Sequence, residues 1–241
     1  MGSRFVVKLI SSQMISPSVK SLVFERIDGA PMEFRPGQWV NLLSAAGSPS
    51  GTVEDKRSYS IASAPDGSQR FEVIVTRVET GRFSPLLHAM SEGTELTCIG
   101  PEGLFTRAAH DPRPAVFVGT GTGLAPLRSM IVADLASGGR SKKELLFGVR
   151  TPEDVFFQSE FEAWAPRGVT TTVTLSRPPA SWGGARGYVQ THLSDAIDRA
   201  GARELVQVYI CGLTRMVEEV KALARGPLAL PRRHVHVERY D

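Results

Sequence analysis

The run Gly119-Thr120-Gly121-Thr122-Gly123-Leu124-Ala125-Pro126 joins an apolar segment, Ala115-Val116-Phe117-Val118, to residues 124–136, which are spaced as an amphipathic helix. A glycine-rich passage from strand to helix lets the backbone approach a pyrophosphate, and the free N–H groups of the helix N-terminus point at the anion. Pro126 falls in the first turn, where its missing N–H costs nothing. The run departs from the dinucleotide fingerprint G-x-G-x-x-G, because Leu124 takes the place of the last glycine. No Lys-Ser or Lys-Thr follows, so it is not a P-loop either. A structural tight turn accounts for one glycine, not for three in alternation. Gly121, Thr122, Gly123 and Pro126 are therefore expected to contact a nucleotide.

Downstream of this run, strand and helix alternate. Strands are expected at residues 144–149, 169–175, 206–211 and 234–238, with helices at 155–164, 191–200 and 214–224. That rhythm implies a doubly wound parallel sheet. Upstream the pattern differs. Residues 5–10, 20–26, 38–43, 71–77 and 95–99 form short runs rich in Val, Ile, Phe and Thr, separated by Pro-Gly, Asp-Gly and Gly-Ser clusters. One helix is expected, over residues 84–91. Such spacing suggests an antiparallel barrel. Ala-Ala-His-Asp-Pro-Arg-Pro at 108–114 reads as a linker, giving domains 1–110 and 111–241.

The chain has 241 residues, 41% of them apolar and 22% charged, an ordinary globular composition able to bury a full core. Its two cysteines, Cys98 and Cys211, are too few for a disulfide scaffold, an all-cysteine zinc site or an iron–sulfur cluster. Redox chemistry would have to come from an organic cofactor or a partner. Residues 1–112 carry 11 Lys+Arg against 12 Asp+Glu, and residues 113–241 carry 17 against 13. A basic excess of that size does not suit duplex DNA, but it suits a phosphorylated ligand or an acidic protein. No segment reads as a signal peptide or a membrane span, so a soluble, cytoplasmic protein is expected. His234 and His236 have metal-like spacing on one strand, but two ligands do not make a site, and no metal is expected.

In the upstream half, Arg57-Ser58-Tyr59-Ser60 precedes Ile61-Ala62-Ser63-Ala64-Pro65. Arg57 and Tyr59, two apart on a strand, project to one face, where one can hold a phosphate and the other can stack on a flat ring. Further along stand Gly81-Arg82-Phe83-Ser84, the glycine run at 119–126, Cys211-Gly212-Leu213-Thr214-Arg215-Met216 and Val237-Glu238-Arg239-Tyr240. In this order, and at compatible spacing, the five segments resemble those of the ferredoxin–NADP(+) reductase family over essentially the whole chain.

The resemblance implies a two-domain β plus α/β fold. An N-terminal six-stranded antiparallel barrel would bind FAD, and a C-terminal parallel-sheet domain would bind NADP. By similarity, Arg57 binds the FAD pyrophosphate, Tyr59 packs against the isoalloxazine, Ser60 hydrogen-bonds near flavin N5, and Ser58 is a further cofactor-binding residue. Ile74, Val75 and Thr76 match the strand lining the flavin, and Gly81, Arg82, Phe83 and Ser84 match the turn that cradles the pyrophosphate. Cys211, with Gly212 and Met216, resembles the thiol beside nicotinamide C4. Taken alone, a cysteine ending a buried strand is most often an inert small hydrophobe. Glu238 matches a carboxylate tied to proton supply, and Tyr240 the aromatic that covers the flavin and yields to nicotinamide. The plant-type pattern ends on that tyrosine, whereas Asp241 follows here, which puts the stacking role in question.

For the nucleotide, Arg150, Ser176, Arg177, Arg186 and Tyr188 are the expected contacts. In NADPH-specific relatives a Ser-Arg pair, a cation and a Tyr clamp the 2′-phosphate, and no Asp or Glu lies between Ser176 and Tyr188 to hold a bare ribose. NADPH is thus favoured over NADH. The resemblance implies that NADPH gives a hydride to FAD, and that single electrons then pass to an acidic ferredoxin or flavodoxin, with the enzyme acting as a monomer. The alternatives are a reductase component of an oxygenase, an NAD(P)H:flavin reductase, or a non-catalytic subunit keeping the fold.

Overall fold

The computed structural model describes residues 2–43 and 56–240. The first half builds one antiparallel sheet from β1 (Ser3–Met14), β2 (Val19–Arg26), β3 (Trp39–Leu43), β4 (Lys56–Ser60), β5 (Arg70–Thr76) and β6 (Glu95–Glu102), in the order β4-β3-β6-β1-β2-β5. β1 runs well past the expected strand: residues 3–8 pair with β6 and residues 7–14 with β2, the latter pairing continuing across a register shift between Leu9 and Ser11. The sheet curls until its ends meet at a narrow seam: Ile61 bridges Val73, and the Ala62 N–H donates to the Glu72 carbonyl at 2.7 Å. Phe5, Val7, Leu9, Leu22, Phe24, Phe71 and Val73 fill the interior, with Phe83 and Leu87 of α1 (Phe83–Ala89) closing it.

The second half is a parallel sheet of β7 (Ala115–Thr120), β8 (Lys143–Val149), β9 (Val169–Leu175), β10 (Ala185–Arg186), β11 (Gln207–Leu213) and β12 (Val235–Tyr240), in the order β10-β9-β8-β7-β11-β12. Its near-continuous apolar strands follow from burial on both faces. Phe117, Leu145, Phe147, Tyr209 and Cys211 point to the side of α2 (Leu124–Ala136) and α3 (Gln158–Trp164). Val116, Val118, Leu146, Val208 and Ile210 point to α4 (Leu193–Ala200) and α5 (Thr214–Arg225). Val19, Ala62, Ile74 and Phe105 of the barrel join the α2–α3 core, so the two sheets share packed apolar surface.

One sequence expectation needs correction. The helix expected at 155–164 begins only at Gln158. Thr151 and Asp154 close a capping box on a separate 3-10 turn at Pro152–Asp154, and Phe157 sits in the left-handed region at φ 61°. Phe156 is meanwhile drawn into the core, 5.1 Å from Phe147 edge to face. Each aromatic finds its own anchor, and a continuous helix cannot serve all of them. The segment with linker composition is fastened down. Arg113 donates to Asp111 at 2.9 and 2.6 Å, while buried Arg107 donates to the carbonyls of Asp111 at 3.2 Å and Arg113 at 2.7 Å.

Candidate active site

In an open parallel sheet the crevice lies where the strand order reverses, between neighbours whose loops leave in opposite directions. Here those neighbours are β7 and β11, and the loops are the glycine run and the Cys211-Gly212-Leu213 turn. The glycines of the run have separate tasks. Gly121 has φ +52°, with open space ahead of it where a ligand can approach. At Gly123 a Cβ would strike the Cys211 carbonyl, so this glycine is needed for contact with β11 whether or not a nucleotide is bound. The first turn of α2 contains no acidic side chain to neutralise the helix N-terminus, and Pro126 is buried within it. The Thr120 hydroxyl is buried beside Gly212 without a partner among the described residues. Open backbone, an unopposed helix dipole and an orphaned hydroxyl fit an anionic nucleotide at this end of the sheet.

Four expected residues, drawn from two sheets, converge on the same crevice. β12 pairs in parallel with β11 so that Glu238 lies opposite Cys211 and Tyr240 opposite Leu213. The barrel contributes Ser60 at the end of β4. Its hydroxyl donates to Glu238 Oε1 at 3.0 Å and accepts from the Tyr240 hydroxyl at 2.7 Å. Cys211 Sγ lies 4.0 Å from the same carboxylate oxygen. Burial raises the Glu238 carboxyl to about 7, against the opposing pull of the Ser60 hydrogen bond. Burial, and secondarily the Glu238 charge, pushes the Cys211 thiol well above its usual range. Burial, with Cys211 and Glu238 adding to it, does the same to the Tyr240 phenol. The cluster is thus a set of neutral, proton-bearing groups in which only Glu238 changes charge near neutral pH. Asp241 lies outside the described residues.

The remaining barrel residues divide by role. Tyr59 is half-buried with its ring 6.2 Å from Phe83, and burial lifts its hydroxyl to about 12. Arg57 is exposed beside it and donates to the Lys56 carbonyl at 2.8 Å, while Ser58 donates to Asn41 at 3.0 Å. An exposed guanidinium next to an aromatic face fits a phosphate with a flat ring attached. Val75 and Phe83 face the barrel interior, so their side chains are spent on the core. Ile74 packs into the core shared with α2, and Thr76 reaches Thr122 of the glycine run at 3.5 Å. The Gly81 N–H donates to the Val78 carbonyl at 2.9 Å, and Ser84 accepts from the Val78 N–H at 3.0 Å. The Ser84 hydroxyl therefore fastens the turn that Arg82 and Phe83 continue. Cys98 is buried in the barrel, and burial holds its thiol up at about 12.

The expected phosphate clamp comes apart into two kinds of residue. Arg177 is exposed and its N–H donates to the Arg150 carbonyl at 2.9 Å, while the Ser176 N–H donates to the Val149 carbonyl at 3.0 Å. These bonds set Arg150 and Arg177 side by side at the carboxyl ends of β8 and β9, with Tyr188 63% exposed on the neighbouring turn. Arg186 is different. Its terminal nitrogen donates to the carbonyls of Pro179, Ala180 and Trp182 at 3.1, 3.1 and 2.7 Å. It is exposed like Arg177, but one of its terminal nitrogens braces the loop that carries Arg177, so the two cations are not equivalent. Gly212 and Met216 stand at the crevice, where a Cβ on Gly212 would press on Thr120 Oγ1 at 2.5 Å and Met216 Cε at 2.7 Å. His236 stacks on Tyr209 at 4.6 Å between ring centres.

Two family matches divide the chain as its two sheets do. Residues 6–106 match the oxidoreductase FAD-binding domain, and residues 117–222 match the oxidoreductase NAD-binding domain. Along 98% of each chain, the sequence is 50% identical to the ferredoxin–NADP reductase B of Sorangium cellulosum. The chain belongs to the ferredoxin–NADP(+) reductase family. The reductase component of a propane 2-monooxygenase from Rhodococcus jostii is a more distant relative, 30% identical over 85% of this chain and 56% of its own length. The flavohaem-like FAD/NAD-binding domain of a nitric oxide dioxygenase from Vibrio cholerae has the same fold, with a TM-score of 0.86, 21% identity and 98% of both chains covered. No helix among the described residues is long and apolar enough to cross a membrane.

Proposed function

We propose that the protein takes a hydride from NADPH and delivers single electrons to a ferredoxin or flavodoxin. The observation that carries this reading is the cluster of Ser60, Cys211, Glu238 and Tyr240, assembled from both sheets at the crevice beside the glycine run. Bound FAD would supply the chemistry, accepting two electrons as hydride and releasing them singly. Arg57 would hold its pyrophosphate and Tyr59 its ring, while Ser60 would offer a hydroxyl at the reacting edge. Gly121 and the α2 N-terminus would receive the nucleotide pyrophosphate, with Arg177, Arg150 and Tyr188 around the 2′-phosphate. Glu238, with a pKa of about 7, would hold or yield a proton through Ser60. Tyr240 would give way to the nicotinamide ring, and Cys211 would shape the pocket wall without acting as a nucleophile. The basic excess of the second half supports an acidic carrier as acceptor. A monomeric, cytoplasmic enzyme is part of the same reading.

The purified protein tests it by colour and turnover. It is expected to be yellow, to bleach with NADPH, and to reduce an acidic carrier faster at low salt. A colourless protein active only with added free flavin would overturn the reading. An acceptor found only among oxygenase components would move it to the role that the Rhodococcus jostii relative's name describes.

A further inference from the structure

Ten of the thirteen residues of α2 are buried, and a helix covered on nearly every side cannot leave an arginine unpaired. Arg128, in its second turn, is only 13% exposed and spends its guanidinium on three elements at once. One terminal nitrogen donates to the Ala62 carbonyl at 2.7 Å and to Glu72 at 2.9 Å. The other terminal nitrogen and Nε grip Glu160 of α3 as a fork, at 2.6 and 2.8 Å. The cation lies 4.3 Å over the ring of Phe157, the residue held at φ 61° just before α3. The next residue, Ser129, donates to the Ser63 carbonyl at 2.6 Å.

Ala62, Ser63 and Glu72 form the seam where the barrel closes, and Ala62 is two residues beyond Ser60. Arg128 is five residues beyond Gly123. Beside the direct contacts of Ser60 with Glu238 and Tyr240, this guanidinium is a second tie between the helix that follows the glycine run and the barrel seam that follows Ser60. We propose that Arg128, with Glu72 and Glu160, is a positioning residue that fixes the nicotinamide site against the flavin site. Its planar fork sets distance and angle together, which a lysine cannot reproduce. Misplacing the reacting atoms by about 1 Å can cost about 10²-fold in rate. The inference rests on the hydride-transfer reading above.

The test separates positioning from stability. Combining Arg128→Met with Glu72→Gln and Glu160→Gln removes the network without leaving a buried charge, the exchange that most often preserves a fold. Anaerobic mixing of the FAD-loaded protein with saturating NADPH reads the rate of flavin reduction per bound flavin, together with the long-wavelength charge-transfer absorbance. The triple variant is expected to keep its FAD and its NADPH Kd, to reduce flavin about 10- to 100-fold more slowly, and to lose that absorbance. Arg128→Lys should fall between it and the parent. In the cofactor-free protein, amide exchange at Ala62 should accelerate. Should the triple variant not fold, Ser129→Ala and Arg128→Lys carry the test with the same readouts. Variants that bleach at the parental rate with unchanged absorbance overturn the proposal while the functional reading stands. A parent protein that NADPH does not bleach overturns both. Arg203→Gln, which breaks an exposed pair with Asp198, serves as the control and is expected to change nothing.

Discussion

Replacing Glu238 by glutamine should make the protein more stable and a poorer enzyme, with the stability gain following pH in one direction only. Burial raises the carboxyl from 4.5 to about 7. Below pH 4.5 the group is protonated in folded and unfolded chain alike, so it contributes no difference. Between pH 4.5 and 7 the unfolded chain releases a proton that the folded protein keeps, so stability falls as pH rises. Above about 7 the full cost is present, on the order of 3 kcal/mol, because each tenfold change in proton affinity is worth about 1.4 kcal/mol. Glutamine keeps the shape and can still accept from the Ser60 hydroxyl, but it carries no charge. Glu238→Gln should thus exceed the parent by less than about 1 kcal/mol at pH 5 and by up to about 3 kcal/mol at pH 8. At this chain length that corresponds to roughly 6–12 °C in Tm at pH 8. Thermal unfolding of the FAD-loaded proteins from pH 5 to pH 8.5 is the assay, with steady-state turnover alongside. A stability difference that does not change with pH, or that shrinks as pH rises, would refute the claim that this carboxyl is held neutral by burial.

Further tests address the nucleotide and the crevice. Arg177→Ala should raise the NADPH KM about 10- to 150-fold through loss of a charge-assisted contact worth about 1.5–3 kcal/mol, and should leave the NADH KM nearly unchanged. Arg186→Ala should weaken both nucleotides alike, because three carbonyls of the 179–182 loop lose their common donor; selective loss of NADPH would return Arg186 to the phosphate. Gly123→Ala should cost about 1–3 kcal/mol in chemical denaturation even without nucleotide, since its Cβ meets the Cys211 carbonyl. Neither Cys98 nor Cys211 should react with a thiol reagent at pH 8 until denaturant is added, both being buried with raised pKa values; fast reaction of either thiol in the folded protein would contradict its burial.

Local pattern carried much of this architecture. The apolar run at 115–118, the glycines after it and the helix beyond appear where their residue types require, because each depends on neighbours a few positions away. What local pattern could not supply were contacts across the two halves. Arg128 reads in sequence as one cation on a helix, and only the seam at Ala62–Glu72 and the fork at Glu160 reveal its burial. The helix, expected to be amphipathic, is instead buried on nearly every side, its polar Ser129 and Asp134 included, which its spacing did not show. Arg186 shows the converse case. Charge type and spacing suggested a phosphate ligand, but a glycine-rich loop with few apolar anchors needs a donor to hold its carbonyls, and the nearest guanidinium supplies it.

The same reasoning explains why the glycine run departs from the dinucleotide fingerprint without losing its site. In that fingerprint the last glycine gives close approach of helix to strand. Here close approach is needed one position earlier, where Gly123 meets the backbone of β11, so Leu124 is free to be large and fills the core under α2. Drawing the glycine turn onto β11 brings Thr120 against Gly212 and leaves its hydroxyl buried there without a partner among the described residues. β12, pairing in parallel beside β11, then delivers Glu238 and Tyr240 to the same end of the sheet as Cys211. The barrel has only to place Ser60 there, and the seam held by Arg128 is two residues away. One tight contact between two backbones therefore sets the nucleotide turn, the thiol and the carboxylate relative to one another, and one guanidinium ties that set to the flavin half.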